Sequence, residues 1–226
     1  MKTLQLLDMT VTVFDQDALC SQFNTLNNYE PHLTPILEEI IQPDFNIVDA
    51  GCHLGFHTAR FSRLVPDGVV YAFDINEEAL DLLEHTIKYN KLTNVKVYRK
   101  GLSQVSKKIK YRKNIHPDQN SLYESYSKTF TGEAEAELVT LDELNLGKVH
   151  LLKLDVEGSE LDILKGSQAL IRESRPLIIY ENLNNSNLNP ATYLSNLQYE
   201  IYRIEPSRDF LAIPVEDPYN TKQYFF

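Results

Sequence analysis

The chain has no tryptophan, two cysteines and two methionines among 226 residues, and its 22 basic residues are outnumbered by 32 acidic ones. Each shortage removes a class of protein. Cys20 and Cys52 are too few for a disulfide framework, which suits a reducing compartment. A net charge of −10 argues against a general nucleic-acid binder, whose affinity comes from neutralising phosphates with Lys and Arg. No apolar run approaches the roughly 20 residues of a membrane-spanning helix. The opening stretch "MKTLQLLDMTVTVFDQD" resembles a secretory leader only briefly, because Asp8 interrupts it and no small-residue cleavage site follows. These absences predict a soluble, cytoplasmic protein. An apolar fraction of 42 % with 24 % charged residues is ordinary for a globular chain, and the length suits one large α/β domain with an N-terminal extension.

The glycine signatures of the commonest nucleotide sites are missing too. In "NIVDAGCHLGFHTARF", residues 46–61, a buried strand turns through Gly51 and Gly55 into a helix, which is how α/β proteins hold a nucleotide. A dinucleotide fingerprint begun at Gly51 needs glycine where this chain has His53 and Phe56, so NAD is disfavoured. No Gly-Lys-Ser/Thr follows the turn, which disfavours a P-loop. What is present is Asp49 at the strand end, then Gly51-x-x-x-Gly55, then a helix. The second strand ends in Asp74, 25 residues on (74 − 49 = 25). A carboxylate there can accept both ribose hydroxyl protons, and Ile75 can cover an adenine face. The pattern offers a place for adenosine and no cradle for pyrophosphate. S-adenosylmethionine fits that description.

From position 45 the chain alternates β-rich runs with amphipathic stretches. Strands are expected over 69–75, 95–101, 149–156 and 176–182. Helices are expected over 56–65 and after Asn76, a good N-cap with Glu77 and Glu78 in the first turn. "SELDILKGSQALIRES" reads as one helix bent at Gly166. "YEIYRI" and "DFLAIPV" read as an antiparallel hairpin closing one edge. Repeating β–α units specify a mostly parallel sheet with helices on both faces. Residues 1–44, including "TPILEEII", are expected as a helical extension packed on the domain formed by 45–226. The basic run "SKKIKYRKN" alternates charge with Ile109 and Tyr111, as an edge strand guarded by lysines does. Residues 114–137 are polar and poorly periodic, and a connection that long is often functional.

"DAGCHLGFHT", "VYAFDINEEALDLLEHTIKYNKLTNVKV", "KGLS", "TLDEL" and "LLKLDVEGSELDILKGSQALIRESRPLIIYEN" together resemble the FkbM family of S-adenosylmethionine-dependent methyltransferases. The resemblance spans about residues 30 to 215, the size expected of one such domain. "KLDVEGSE" followed by "LKG" and "RPLIIYE" is its most specific part. It implies a Rossmann-like class I methyltransferase fold, with a seven-stranded sheet whose terminal hairpin supplies the antiparallel strand. It also implies O-methylation of a hydroxyl on a sugar, glycan or natural product. By position, the resemblance places Asp49, Gly51, His53 and Gly55 at the methionine end of the cofactor and Asp74 on its ribose. Leu102 and Ser103 fall beside the adenine, with Thr58 and Glu30 near the cofactor. Two departures stand out. Asp74-Ile75 replaces a frequent Glu-Pro, and His57 replaces a frequent aromatic, so His57 takes no role from the resemblance.

Ligands of open α/β sheets bind at the carboxyl ends of the strands where strand order reverses. Asp155 and Glu181 end the two strands beyond that point and should face the crevice. Asp155 is the first candidate for general base or substrate orienter and also a cofactor contact; Glu181 is the second and His53, with His57, the third. Asp155, Glu181 and Asn182 also resemble an oxygen cluster for Mg²⁺, an alternative disfavoured because oxygen-bearing residues are common at strand ends. Plainer roles exist for several residues. Asp49 can cap the turn, and His53 can hydrogen-bond its backbone. Glu157 and Glu160 suit a helix N-terminus, Lys153 can be a buried ion partner of Asp155, and Cys52 can simply be small. Tyr123 and Tyr126 read as lid aromatics or as surface contacts. Rival readings are an NAD(P)-dependent oxidoreductase, a non-catalytic binding module on the same fold, and methylation of RNA or protein. The acceptor pocket is expected from residues 1–44, 114–137 and 182–193, which carry no recognisable code for the acceptor or the oligomeric state.

Overall fold

The computed structural model describes residues 1–6, 9–13, 29–114, 130–182 and 189–224. The chain opens with an antiparallel pair, β1 (Lys2–Leu6) and β2 (Met9–Val13), and helix α1 (Leu33–Ile40) comes later. Alternation then begins with β3 (Ile47–Ala50), α2 (Phe56–Leu64), β4 (Val70–Phe73), α3 (Glu77–Asn90) and β5 (Val95–Tyr98). Three strands, β6 (Gly101–Leu102), β7 (Lys107–Asn114) and β8 (Phe130–Val139), make a separate small sheet. The main alternation resumes with β9 (Leu151–Leu154), α4 (Glu160–Lys165), α5 (Gln168–Ser174) and β10 (Leu177–Glu181). Helix α6 (Pro190–Asn196) and strands β11 (Tyr199–Ile204) and β12 (Asp209–Pro214) follow.

Seven strands form the main sheet in the order β11-β12-β10-β9-β3-β4-β5. β12 runs antiparallel to both neighbours, and the other pairings are parallel. The mostly parallel sheet with its C-terminal hairpin is therefore as expected. From β3 the chain steps outward to β4 and β5, and from β9 it steps the other way, so strand order reverses between β3 and β9. The inner strands are short and buried on both faces, as parallel strands covered by helices must be. Val48, Leu152 and Tyr180 pack with Ile163, Ile171 and Leu194 of α4, α5 and α6. On the other face Ile47, Leu151 and Ile179 pack with Leu37 of α1 and Phe61 of α2, while Ala72 meets Leu80 and Leu83 of α3. Helices thus cover both faces.

Three expectations need correction. The N-terminal extension is not helical throughout: "MTVTV" has a period of two and forms β2, burying Met9, Val11 and Val13 against Leu54, Phe56 and Leu82. The open edge of β2 is satisfied by side chains of α3. Thr10 N–H donates to Asn90 Oδ1 (3.0 Å), Asn90 Nδ2 donates to the Thr10 carbonyl (2.6 Å), and Thr12 N–H donates to Thr86 Oγ1 (2.9 Å). Second, the single helix expected over 159–174 is two, broken at Gly166 and Ser167. A Cβ at Gly166 would lie 2.0 Å from the Ser103 carbonyl oxygen, and Asp142 starts the new helix by accepting from Ala169 and Leu170 N–H. Third, part of the expected 114–137 loop belongs to β8. The basic run forms β7, an edge strand as expected, with Lys108 opposite Glu137 and Lys110 opposite Glu135. Tyr123 and Tyr126, Cys20 and residues 183–188 lie outside the described residues. No described helix is long and apolar enough to cross a membrane.

Candidate active site

The strand ends at the β3–β9 reversal open into one cavity. Its floor begins with Gly51, at φ +78°, where a Cβ would sit 1.7 Å from the Asp155 carbonyl oxygen. Only glycine lets the first turn pass this closely over the end of β9. The turn folds back so that His53 N–H donates to Asp74 Oδ2 (2.8 Å), while Asn76 N–H donates to Asp74 Oδ1 (2.8 Å). Each Asp74 oxygen keeps a second lone pair for an incoming hydroxyl. Burial raises the Asp74 carboxyl above its ordinary range, and His53 and these backbone donors oppose the rise.

Two charged residues interrupt the otherwise apolar inner strands. Asp49 on β3 and Lys153 on β9 are register partners, 0 % and 4 % exposed. Thr58 on α2 donates its hydroxyl to Asp49 Oδ2 (2.6 Å), whereas Asp49 Oδ1 is buried with no partner among the described residues. Burial pushes the Asp49 carboxyl up, against the pull of Lys153 and His57. Lys153 Nζ lies 3.0 Å from Asp155 Oδ2. Burial alone would lower its pKa, but Asp155, Glu30 and Asp49 outweigh that and hold the ammonium firmly protonated. Lys153 is thus the buried ion partner of Asp155.

His57, on α2, is also buried, and burial with Lys153 nearby pushes its imidazole well below the usual range. The neutral ring donates Nε2–H to Glu30 Oε2 (2.6 Å). Tyr29 stacks on Phe56 with ring centroids 5.0 Å apart, which pins the residues before α1 to α2. The far end of the cavity is apolar: Phe73, Ile75, Gly101 and Leu102 line it, and Tyr111 Oη donates to the Ile75 carbonyl (3.1 Å). The small sheet therefore builds one wall of the site. Glu160 accepts from Gly158 and Val156 N–H and shapes the loop after β9, while Glu157 lines the cavity. Burial first, then the neighbouring Asp155, Glu157 and Asp209, push the Glu181 carboxyl up to about 8. Burial, Asp74 and Asp49 keep the Cys52 thiol protonated.

Ten of the candidate site residues meet at this cavity: Glu30, Asp49, Gly51, His53, His57, Asp74, Ile75, Leu102, Asp155 and Glu181. Three stand behind it. Gly55 turns the chain into α2 at φ +82°, Thr58 holds Asp49, and Ser103 donates its N–H to the Val139 carbonyl. Tyr29, Phe73, Gly101, Val156 and Ser159 line the cavity without having been anticipated. The lining holds six carboxylates, Glu30, Asp49, Asp74, Asp155, Glu157 and Glu181, against one lysine. A phosphate would be repelled there, and a cation attracted. Among the described residues no group of three side chains is arranged to hold a metal ion.

The profile of the Methyltransferase FkbM domain matches residues 49–210. Methyltransferase 1 of Beauveria bassiana (strain ARSEF 2860) is 25 % identical over 145 residues, covering 54 % of this chain and 58 % of its own length. Methyltransferase sdnD of Sordaria araneosa is 28 % identical over 153 residues, covering 53 % and 59 %. The chain thus spans less than two thirds of the length of these curated relatives. The crystal structure of Methyltransferase FkbM from Methylobacillus flagellatus KT superposes with a TM-score of 0.57 at 17 % identity, over 76 % of this chain and 44 % of that one. At that identity the likeness is one of fold.

Proposed function

Because the chain belongs to the FkbM methyltransferase family, we propose that it binds S-adenosylmethionine at the β3–β9 reversal and methylates a hydroxyl group of a sugar, glycan or natural-product small molecule. The observation that carries this reading is the charge and shape of the cavity. The Asp74 carboxylate stands just beyond β4, the apolar Ile75 and Leu102 line the same cavity, and acids surround the rest. The buried, unpartnered Asp49 Oδ1 fits a group that brings an ammonium. Bound there, S-adenosylmethionine supplies an electrophilic methyl on a positively charged sulfur and leaves as S-adenosylhomocysteine.

In this reading the protein's own groups divide the work by position. Asp74 accepts the ribose hydroxyls while His53 and Asn76 fix its orientation. Ile75 and Leu102 cover the adenine faces. Gly51 and His53 shape the turn over the methionine end, with Gly55 and Ser103 supporting from behind. Asp49, held by Thr58, and Glu30, held by His57, take the ammonium. Asp155, Glu181 and His53 face the acceptor, orient its hydroxyl and receive its proton. Alignment of the nucleophile alone can supply roughly 7–11 kcal/mol, so positioning carries most of the rate. Lys153 neutralises the Asp155 carboxylate, which weakens its pull on a divalent ion and favours a reaction run on protein groups. The six acids weigh against the oxidoreductase reading, since a pyrophosphate would have to lie among them.

Calorimetric titration with S-adenosylhomocysteine and with NAD tests the proposal. S-adenosylhomocysteine should bind and NAD should not. Asp74→Ala should weaken binding by about 10–100-fold, the worth of hydrogen bonds to a charged group. Absence of heat with S-adenosylhomocysteine at millimolar concentration would overturn it.

A further inference from the structure

Six carboxylates sharing one cavity with one lysine disfavour one another's ionisation, and the structure indicates which one is least compensated. Most acids there have a donor or a cation: Asp155 has Lys153, Asp49 has Thr58 with Lys153 beside it, Glu30 has His57, and Asp74 has two backbone N–H groups. Glu160, just behind the lining, also has two backbone donors. Glu181 is different. Among the described residues no hydrogen bond or ion pair reaches its side chain. It faces acids from every packed element: Asp155 after β9, Glu157 in the following loop, Glu160 of α4, and Asp209 opposite it on β12. The Lys153 ammonium is committed to Asp155 (3.0 Å), and His32 Nε2 lies against Asp209 Oδ2 (2.8 Å).

We propose that Glu181 carries a proton in the free protein, releases it when the cationic methyl donor enters the cavity, and so becomes the acceptor of the hydroxyl proton only in the loaded protein. The proposal rests on the methyltransferase reading above. A fixed positive charge in the same cavity offsets the crowding of acids and draws the Glu181 carboxyl down from about 8. During transfer the acceptor oxygen gains the methyl carbon, the carbon–sulfur electron pair stays on sulfur, and the hydroxyl proton passes to the Glu181 carboxylate. The cavity then holds a neutral thioether beside a protonated Glu181, the charge state it had before loading. The same switch favours retention of the cationic donor and release of the neutral product.

Calorimetry of the full chain at about pH 6.5, in buffers of different ionisation enthalpy, counts the protons released per ligand and needs no acceptor. S-adenosylmethionine and S-adenosylhomocysteine share an α-amino group protonated at that pH, so their difference isolates the sulfonium. S-adenosylmethionine should release about one proton more than S-adenosylhomocysteine, and the difference should vanish well above pH 8. In Glu181→Gln the difference should vanish at every pH while both ligands still bind. Equal proton counts for the two ligands in the wild type, which need no variant, would overturn the proposal and leave the methyltransferase reading standing. So would an unchanged difference in Glu181→Gln. Failure of both ligands to bind would overturn the reading itself, and this proposal with it.

Discussion

Lys153 occupies a strand position that its neighbours Leu151, Leu152 and Leu154 fill with leucine, and it stays charged there because Asp155, Glu30 and Asp49 surround it. Removing that ammonium would leave buried carboxylates uncompensated. Lys153→Met should therefore lower unfolding stability by about 3–5 kcal/mol, measured by urea denaturation at neutral pH, and Asp155→Asn on the same chain should restore part of the loss. An additive double variant would show that the two residues do not act as a pair. At this scale the sequence was informative wherever a charge broke a pattern. Asp49, Asp74, Lys153 and Asp155 all stand at or just beyond apolar strands, and all meet at the cavity or its ion pair. Tyr29, Phe73 and Val156 were not legible, because an apolar cavity wall has the same period as an apolar core. The His57–Glu30 contact joins residues 27 apart with α1 and β3 between them, and neither position announces the other.

Among elements, the N-terminal pair β1–β2 is attached partly by contacts that no sequence pattern reveals. Its apolar face lies on Leu54, Phe56 and Leu82, but its edge is closed by two polar side chains of α3, Asn90 and Thr86. Asn90→Ala would leave Thr10 N–H and its carbonyl without partners. The expected cost is about 1–3 kcal/mol, read as a lowered melting temperature, with S-adenosylhomocysteine affinity changed by less than about twofold. A variant as stable as wild type would show that the strand is held by its apolar face alone. The β–α alternation was readable because each element repeats its own period over enough residues. The hairpin was not, since five residues at period two preceded by an apolar run resemble the start of a helix or leader equally well. The break at Gly166 depends on the Ser103 carbonyl, a neighbour more than sixty residues away in the chain.

At the scale of the whole molecule, an excess of acid runs through both the composition and the site. The chain carries a net charge of −10, and its cavity gathers six carboxylates around one lysine. Sheet order supplies the place, because the reversal between β3 and β9 is where strand ends part and a ligand can enter. The family profile over residues 49–210 spans most of the sheet and both sides of that reversal. The measurement that bears most directly on this account is a crystal structure of the chain soaked with S-adenosylhomocysteine. The predicted result is an adenosine lying over the ends of β3 and β4, both ribose hydroxyls on the Asp74 carboxylate and the amino group against Asp49. A ligand bound elsewhere, or the same site with Asp74 turned away from the sugar, would contradict it.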